Sequence, residues 1–185
     1  LQQAIELHLF PGGYAGIVLQ EGGSANICLA LRKSALRGAD SSPQTLFAQV
    51  ADSNPAFAAR LGDNWRDGRF DTIGAVPYGY IAKETEAGIW RLGDQAAVIP
   101  SLAGEGISIA LASGIMAADY WGDTSDSRSF QRDFARKARK PVRLASLAWH
   151  LAETRIGARA VIALANIAPS LIATFADLAR IEAAP

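Results

Sequence analysis

The segment of residues 91–118, RLGDQAAVIPSLAGEGISIALASGIMAA, contains the residue types that could bind a ligand. Its pattern predicts a strand, a turn at Gly93 and Asp94, a loop, and a helix opened by Gly104 and Gly106. The first amides of a helix lack partners within it and carry a partial positive charge, so they favour a negative group. The Asp94 carboxylate suits hydroxyl donors. The segment therefore predicts a site for a ligand with hydroxyl groups, such as a ribose or polyol, and a delocalised negative charge.

The same residues also allow a purely structural interpretation. Gly104 and Gly106 could only permit a tight turn, and the Asp94 carboxylate could cap a nearby backbone amide. The residue types and their spacing leave both interpretations open.

Taken in order, the segment closely resembles the second FAD-binding motif of the p-hydroxybenzoate hydroxylase-like flavoproteins. This group includes aromatic hydroxylases, geranylgeranyl reductases and flavin-dependent halogenases. The matching positions are Gly93, Asp94, Pro100, Gly104, Glu105, Gly106 and Ile107, followed by the small residues Ala110, Ser113 and Gly114. The resemblance implies that Asp94 binds the ribitol chain of FAD, and that the amides near Gly106 and Ile107 face the pyrimidine side of the flavin ring. It also implies NAD(P)H as the electron donor.

The resemblance extends upstream to Phe10 with lower specificity, since residues 12–31 look like the family's substrate-domain hairpin. At residues 14–19 the chain lacks the tryptophan and proline that mark this hairpin in halogenases and geranylgeranyl reductases. We therefore expect a hydroxylase, that is a monooxygenase, acting on a small apolar or aromatic compound. A reductase of the geranylgeranyl reductase type is the alternative, and a non-catalytic binding module that keeps the fold is a second one.

No catalytic residue can be named from the sequence. The candidates for contact with a small-molecule substrate are Tyr14, Tyr78 and Tyr80, which lie on predicted strands. Aromatic residues on strands usually serve packing, and that interpretation stays open for all three.

The remaining pattern predicts an α+β fold, as expected for part of an FAD/NAD(P)-binding flavoprotein. Apolar alternation at residues 5–9 and β-prone runs at 14–19 and 25–31 around a Gly-rich turn predict antiparallel strands, and residues 72–81 and 89–92 also have strand character. Helices are predicted at 43–61 with a break at Pro55, at 107–121, and at 129–181 with breaks at Pro141, Gly157 and Pro169. The helix at 107–121 is expected to be buried on most faces.

These elements suggest three regions. Residues 1–88 form a substrate-domain sheet with inserted helices, residues 89–122 carry the second FAD motif and its helix, and residues 123–185 form a C-terminal helical region. No GxGxxG turn follows a strand in the chain. We therefore expect the Rossmann-type part of the same protein, which would complete the FAD site, to precede Leu1.

Composition narrows the possible partners. The 18 basic and 18 acidic residues cancel, which argues against nucleic acid as a ligand. The single cysteine, Cys28, excludes an internal disulfide, gives no metal cluster and fits a cytoplasmic protein; we expect it to be buried. The uncharged run 160–176 has 17 residues, fewer than the roughly 20 that a membrane span needs. We expect this run to be a buried helix pair or a patch packed on another part of the protein, without membrane association.

Overall fold

The computed structural model describes residues 4–62, 65–66 and 68–182. Within these residues the fold is mixed α+β, with a three-stranded antiparallel sheet and seven α-helices. The chain divides into two compact units, residues 1–74 with 151–162 and residues 75–150 with 163–185.

The first unit is built on a sheet of three consecutive strands, β1 (Ile5–Phe10), β2 (Gly13–Leu19) and β3 (Ala25–Leu31), in the order β1-β2-β3. The predicted antiparallel pairing of the last two strands is confirmed. Ala15 and Ile17 of β2 are buried in the core of this unit. Cys28 of β3 is exposed, so the expectation that it is buried was wrong. Its neighbours across the sheet, Leu7 and Gly16, lie on the same face of the sheet as Cys28.

The helices of the first unit follow local sequence signals. They are α1 (Lys33–Arg37), α2 (Pro43–Ser53) and α3 (Pro55–Ala58). The hydroxyl of Ser42 accepts a hydrogen bond from the Thr45 amide at 3.1 Å, and the side chain of Asn54 caps α3 in the same way. The predicted break before Pro55 is confirmed, because Asn54 leaves the helical conformation at φ −130°. Phe47 and Phe57 pack edge to face beneath the sheet.

The strands predicted at residues 72–81 and 89–92 do not form. Among the described residues of this region, pairing is limited to an antiparallel bridge between Ile81 and Ala97 with flanking hydrogen bonds from Gly79 to Val98 and from Ala82 to Ala96. A longer ladder is blocked because Pro77 has no amide hydrogen and both Ala75 and Gly79 have positive φ. Gly79 belongs to a turn, and Ala75 lies in irregular structure before it.

The core of the second unit lies between α4 (Gly106–Asp123) and α5 (Ser127–Ala152), of which the last two residues belong to the first unit. Ile109 of α4 and Phe130 and Phe134 of α5 are completely buried. The expectation that α4 is buried on most faces was wrong. Its core contacts follow one stripe, and the opposite stripe exposes large side chains, with exposed fractions of 77% for Ile107, 59% for Leu111 and 43% for Ile115.

Two of the three predicted breaks in the C-terminal helices were misplaced. Helix α5 continues through Pro141, which is buried, although a proline removes one hydrogen bond from a helix. The next helix, α6 (Arg155–Ile167), contains Gly157 instead of ending there. A Cβ atom on Gly157 would lie 2.0 Å from the carbonyl oxygen of Leu151, so glycine is required where α6 turns away from the end of α5. The break before Pro169, which starts α7 (Pro169–Ala179), is confirmed.

The uncharged run 160–176 covers most of α6 and α7. The expectation that it forms a buried helix pair was wrong, since none of its residues is buried. Ile181, which follows the run in the sequence, belongs to the core of the second unit, whereas no residue of the run does. Among the described residues, no single helix is long and apolar enough to cross a membrane. Helices α6 and α7 are long and apolar enough to cross a membrane only when taken together, and they meet at a sharp bend.

The expected regional boundaries at residues 88 and 122 do not coincide with the boundaries of the compact units. Residues 79–82 pair with residues 96–98, which keeps them in the second unit. The side-chain amide of Gln131 on α5 also donates to the carbonyl of Ala82 at 3.0 Å. These bonds attach residues 79–82 to the motif and to α5.

Candidate functional site

A cleft of about 340 Å3 lies entirely within the second unit. It brings together five residues singled out from the sequence, namely Tyr78, Asp94, Gly104, Gly106 and Ile107. The other lining residues are Val76, Val98, Ile99 and Ser101. The cleft therefore has polar groups from two loops and a helix start, set against an aliphatic wall.

The turn at the start of the motif is fixed by a buried hydroxyl group. The Gly93 amide donates to the Ser113 Oγ at 2.9 Å, and the same hydroxyl donates to the carbonyl of Ala110 at 2.9 Å. Gly93 has φ +53°, and its Cα hydrogen faces Ala110, where an added Cβ would lie 3.6 Å from the alanine methyl group. Ser113 is completely buried. The small residues of α4 thus hold the turn, and with it Asp94, against the helix.

The Asp94 side chain is exposed at the end of this turn. The short helical turn Gly93–Gln95 has no side-chain cap, and no hydrogen bond or ion pair of the Asp94 carboxylate occurs with the described residues. The structural interpretation, in which Asp94 caps a local amide, is therefore not supported. The carboxylate is available to accept hydrogen bonds from a ligand.

The start of α4 presents amide groups to the cleft. The first intrahelical bond is donated by Ile109 to the carbonyl of Glu105, and no side chain of the described residues caps the amides of residues 106–108. A Cβ atom on Gly104 or Gly106 would meet no atom within 4 Å. Gly104 has φ +70°, which favours glycine, but Gly106 lies in ordinary helical conformation. Glycine at position 106 is thus not explained by backbone conformation or packing, and it leaves the amides accessible from the cleft.

Three of the predicted cofactor-binding residues do not line the cleft, namely Gly93, Pro100 and Glu105. Pro100 is fully buried and begins the turn Ser101–Ala103, so it shapes the loop. The carboxylate of Glu105 is mostly buried and accepts from Arg180 Nε at 3.5 Å. Glu105 therefore contributes through its position before the helix and not through its side chain.

The three tyrosine candidates are in different places. Tyr14 lies on β2 of the first unit and is 3% exposed. Tyr80 belongs to the second unit, is 41% exposed and does not line the cleft. Tyr78 alone among them lines the cleft, and it sits in a turn instead of the predicted strand.

Sequence reasoning did not identify the partner of Tyr78. The phenol oxygen of Tyr78 and the hydroxyl oxygen of Ser101 are 2.6 Å apart, and its ring contacts Trp149 edge to face at 5.6 Å. The one available signal was a serine directly after Pro100, at the start of the loop. This hydroxyl pair adds a combined donor and acceptor to the cleft.

A larger cleft of about 480 Å3 lies in the first unit between β1 and α3. Its charged groups satisfy each other, because Arg60 donates to both carboxylate oxygens of Glu6 at 2.9 and 2.7 Å. This bidentate pair lowers the pKa of the Glu6 carboxyl group, with a smaller contribution from His8. Its charged side chains are thus less available to a ligand than Asp94 in the smaller cleft.

Comparison with known proteins adds no family. No family model, curated protein or solved structure matches this chain significantly. The resemblance to flavoproteins therefore depends on the sequence alone, chiefly on residues 91–118.

The cleft combines one carboxylate acceptor, a group of uncapped amide donors and a hydroxyl pair. Its lining residues include no histidine or cysteine. This set is suited to binding a ligand with hydroxyl groups at one end and negative oxygen atoms at the other.

Proposed function

We propose that this chain supplies one wall of the FAD site in an FAD-dependent oxidoreductase. The observation that carries the proposal is the shared cleft of Asp94 and the start of α4. The free carboxylate and the open backbone at Gly106 both line it. A site that served only to turn the chain would need neither of these features.

The protein groups have distinct roles in this proposal. Asp94 accepts hydrogen bonds from the ribitol hydroxyl groups, and Ser113 keeps its turn in position through the bond to Gly93. The amides of residues 106–108 donate to the oxygen and nitrogen atoms of the pyrimidine side, where the positive end of α4 stabilises negative charge. When bound, FAD would supply the redox chemistry, with NAD(P)H as the electron donor.

The volume of the cleft fits a partial site. About 340 Å3 is near the lower limit of small-molecule pockets, enough for a polyol chain and part of a ring system but not for a whole dinucleotide. Val98 and Ile99 give the cleft an apolar surface that suits a flat ring. The adenosine half of FAD would bind to a Rossmann-type part of the same protein.

For the full-length protein we propose hydroxylation of a small apolar or aromatic compound, in the cytoplasm. Reduction of the geranylgeranyl reductase type would use the same cofactor wall and is the alternative. Oxygen consumption coupled to NAD(P)H oxidation would favour the hydroxylase, whereas NAD(P)H oxidation that proceeds equally without oxygen would favour the reductase.

The test of the cofactor is its presence in the purified protein. We expect the full-length protein to be yellow, with a flavin absorbance spectrum and a stoichiometry near one FAD per chain, or to take up added FAD after purification. FMN and riboflavin serve as comparison ligands, since only FAD has the adenosine half. A colourless protein that gives no heat of binding with FAD in calorimetry would refute the proposal.

A further inference from the structure

The second unit exposes an apolar segment that its core does not use. We call residues 163–176, the end of α6 and most of α7, the apolar tip. It contains no charged residue, and no residue in it is buried. The exposed fractions of its large side chains reach 83% for Ile167 and 57% for Leu171. Such a segment is unfavourable in water, which implies that a lipid phase, another molecule or another part of the same protein covers it.

The distribution of exposure indicates what covers the tip. Residues 163–167 are five consecutive exposed helical residues, and at 3.6 residues per turn they cover the full circumference of α6. Apart from Asn166 they are alanine, leucine and isoleucine. A helix that docks into a protein groove keeps a polar face towards solvent, whereas a helix apolar on all sides matches an apolar solvent. The pattern therefore favours lipid over a protein partner.

The backbone at the bend is compatible with lipid. The Ala168 amide donates to the carbonyl of Leu164 at 2.8 Å, and the Leu171 amide donates to the carbonyl of Ala168 at 3.0 Å. Pro169, between them, has no amide hydrogen. The chain thus changes direction with few unpaired donors, which is a requirement for backbone inside a bilayer.

Length and charge define the mode of contact. Helix α7 has 11 residues, which at 1.5 Å per residue gives about 16 Å, roughly half of the hydrocarbon thickness. In the same unit, residues 127–150 of α5 contain seven arginine or lysine residues and one aspartate, a charge that attracts anionic lipid headgroups. We propose that the apolar tip inserts into one leaflet of an anionic lipid bilayer as a bent helical wedge. This reverses the expectation from the sequence that the protein has no membrane association.

The first test is flotation of the full-length protein with vesicles in a density gradient. We expect it to float with vesicles of phosphatidylcholine and phosphatidylserine, and less with phosphatidylcholine alone. Ile167→Asp and Leu171→Asp should each weaken the partition by about tenfold or more. Ile73→Asp is the matched control, since Ile73 is 86% exposed and lies outside the tip. Unchanged thermal unfolding in the absence of vesicles would show that all three variants fold.

Two results would overturn the proposal. The first is a wild-type protein that floats with neither type of vesicle. This holds also if the protein that does not float forms a dimer and the tip variants abolish that dimer. The second is flotation of the tip variants equal to that of the wild type. FAD content, which depends on Asp94 and not on the tip, should be the same in all of these proteins, so failure here is separable from failure of the cofactor proposal.

A second measurement distinguishes insertion from binding by charge alone. An environment-sensitive fluorophore is attached at Ile167→Cys in a Cys28→Ser background, because Cys28 is exposed and would otherwise react. Vesicles should shift its emission to the blue, whereas the same probe at Ile73→Cys should not shift. Flotation without a shift at position 167 would mean that the headgroups bind α5 while the tip stays in water, which contradicts the proposal.

Discussion

Replacement of Asp94 is expected to weaken FAD binding while leaving the fold intact. A hydrogen bond to a charged group contributes about 1.5–3 kcal/mol, and 1.4 kcal/mol corresponds to a factor of ten in affinity. Asp94→Ala should therefore raise the Kd for FAD by about 10-fold to 100-fold. Asp94→Asn keeps a neutral acceptor, so its effect should be smaller, near the lower limit. The carboxylate is exposed and has no partner among the described residues, so stability should change by less than about 0.5 kcal/mol.

The assay is titration of the full-length apoprotein with FAD, followed by quenching of flavin fluorescence, with thermal unfolding measured in parallel. Asp119→Ala is the matched control. Asp119 is an exposed carboxylate on α4, 13 residues after Gly106 and thus about 20 Å along the helix. An Asp94→Ala protein with the Kd of the wild type, or with the same loss as Asp119→Ala, would refute the ribitol role.

Three further predictions concern stability. Ser113→Ala leaves the partly buried Gly93 amide without its acceptor and should destabilise the protein by about 1–3 kcal/mol in urea unfolding. Gly157→Ala forces a methyl group onto a backbone carbonyl 2.0 Å away and should lower the Tm, although alanine is the better helix former. The Tyr120 hydroxyl lowers the pKa of Asp133, so its stabilising effect is present above the ordinary aspartate pKa and is lost as the pH falls below about 4. Tyr120→Phe should reduce this loss of stability at acid pH, as measured by the free energy of unfolding at a series of pH values.

Local sequence signals predicted those parts of the fold whose structure is determined locally. Ser42 and Pro43 begin α2 as expected, because a cap and a fixed φ act on the adjacent turn alone. The hairpin of β2 and β3 follows from two β-prone runs joined by a short turn. The absence of strands between residues 72 and 92 could not be predicted in this way. Within residues 72–81 it results in part from the positive φ of Ala75, and an alanine gives no sequence signal for that conformation.

Burial was predicted less well than secondary structure. The composition of α4 suggested a helix buried on most faces, but only one stripe, which includes Ile109 and Ala112, reaches the core. Which faces of an apolar helix are covered depends on what packs there, and the helix itself carries no information about its neighbours. The same reason applies to the uncharged run in α6 and α7, where low charge indicated burial and the structure leaves every residue at least partly exposed.

The sequence could predict those parts of the candidate site that depend on backbone conformation and backbone amides. Gly93, Asp94 and Gly106 are recognisable because only certain residues allow the turn and the open helix start. The hydroxyl pair of Tyr78 and Ser101 depends on how the loop at residues 77–79 folds back towards Pro100, and no local pattern encodes that contact.

Gly106→Ala separates a ligand site from a structural turn, because the two interpretations predict different combinations of effects. Gly106 is helical and a Cβ there meets no atom, so alanine should stabilise the protein by about 0.4–1 kcal/mol through the unfolded state. If FAD approaches the amides at this point, the same methyl group should weaken FAD binding, by about tenfold. Gly104→Ala is the contrast, since φ +70° makes alanine strained and should lower stability. A Gly106→Ala protein with higher stability and unchanged FAD affinity would mean that no ligand contacts the start of α4.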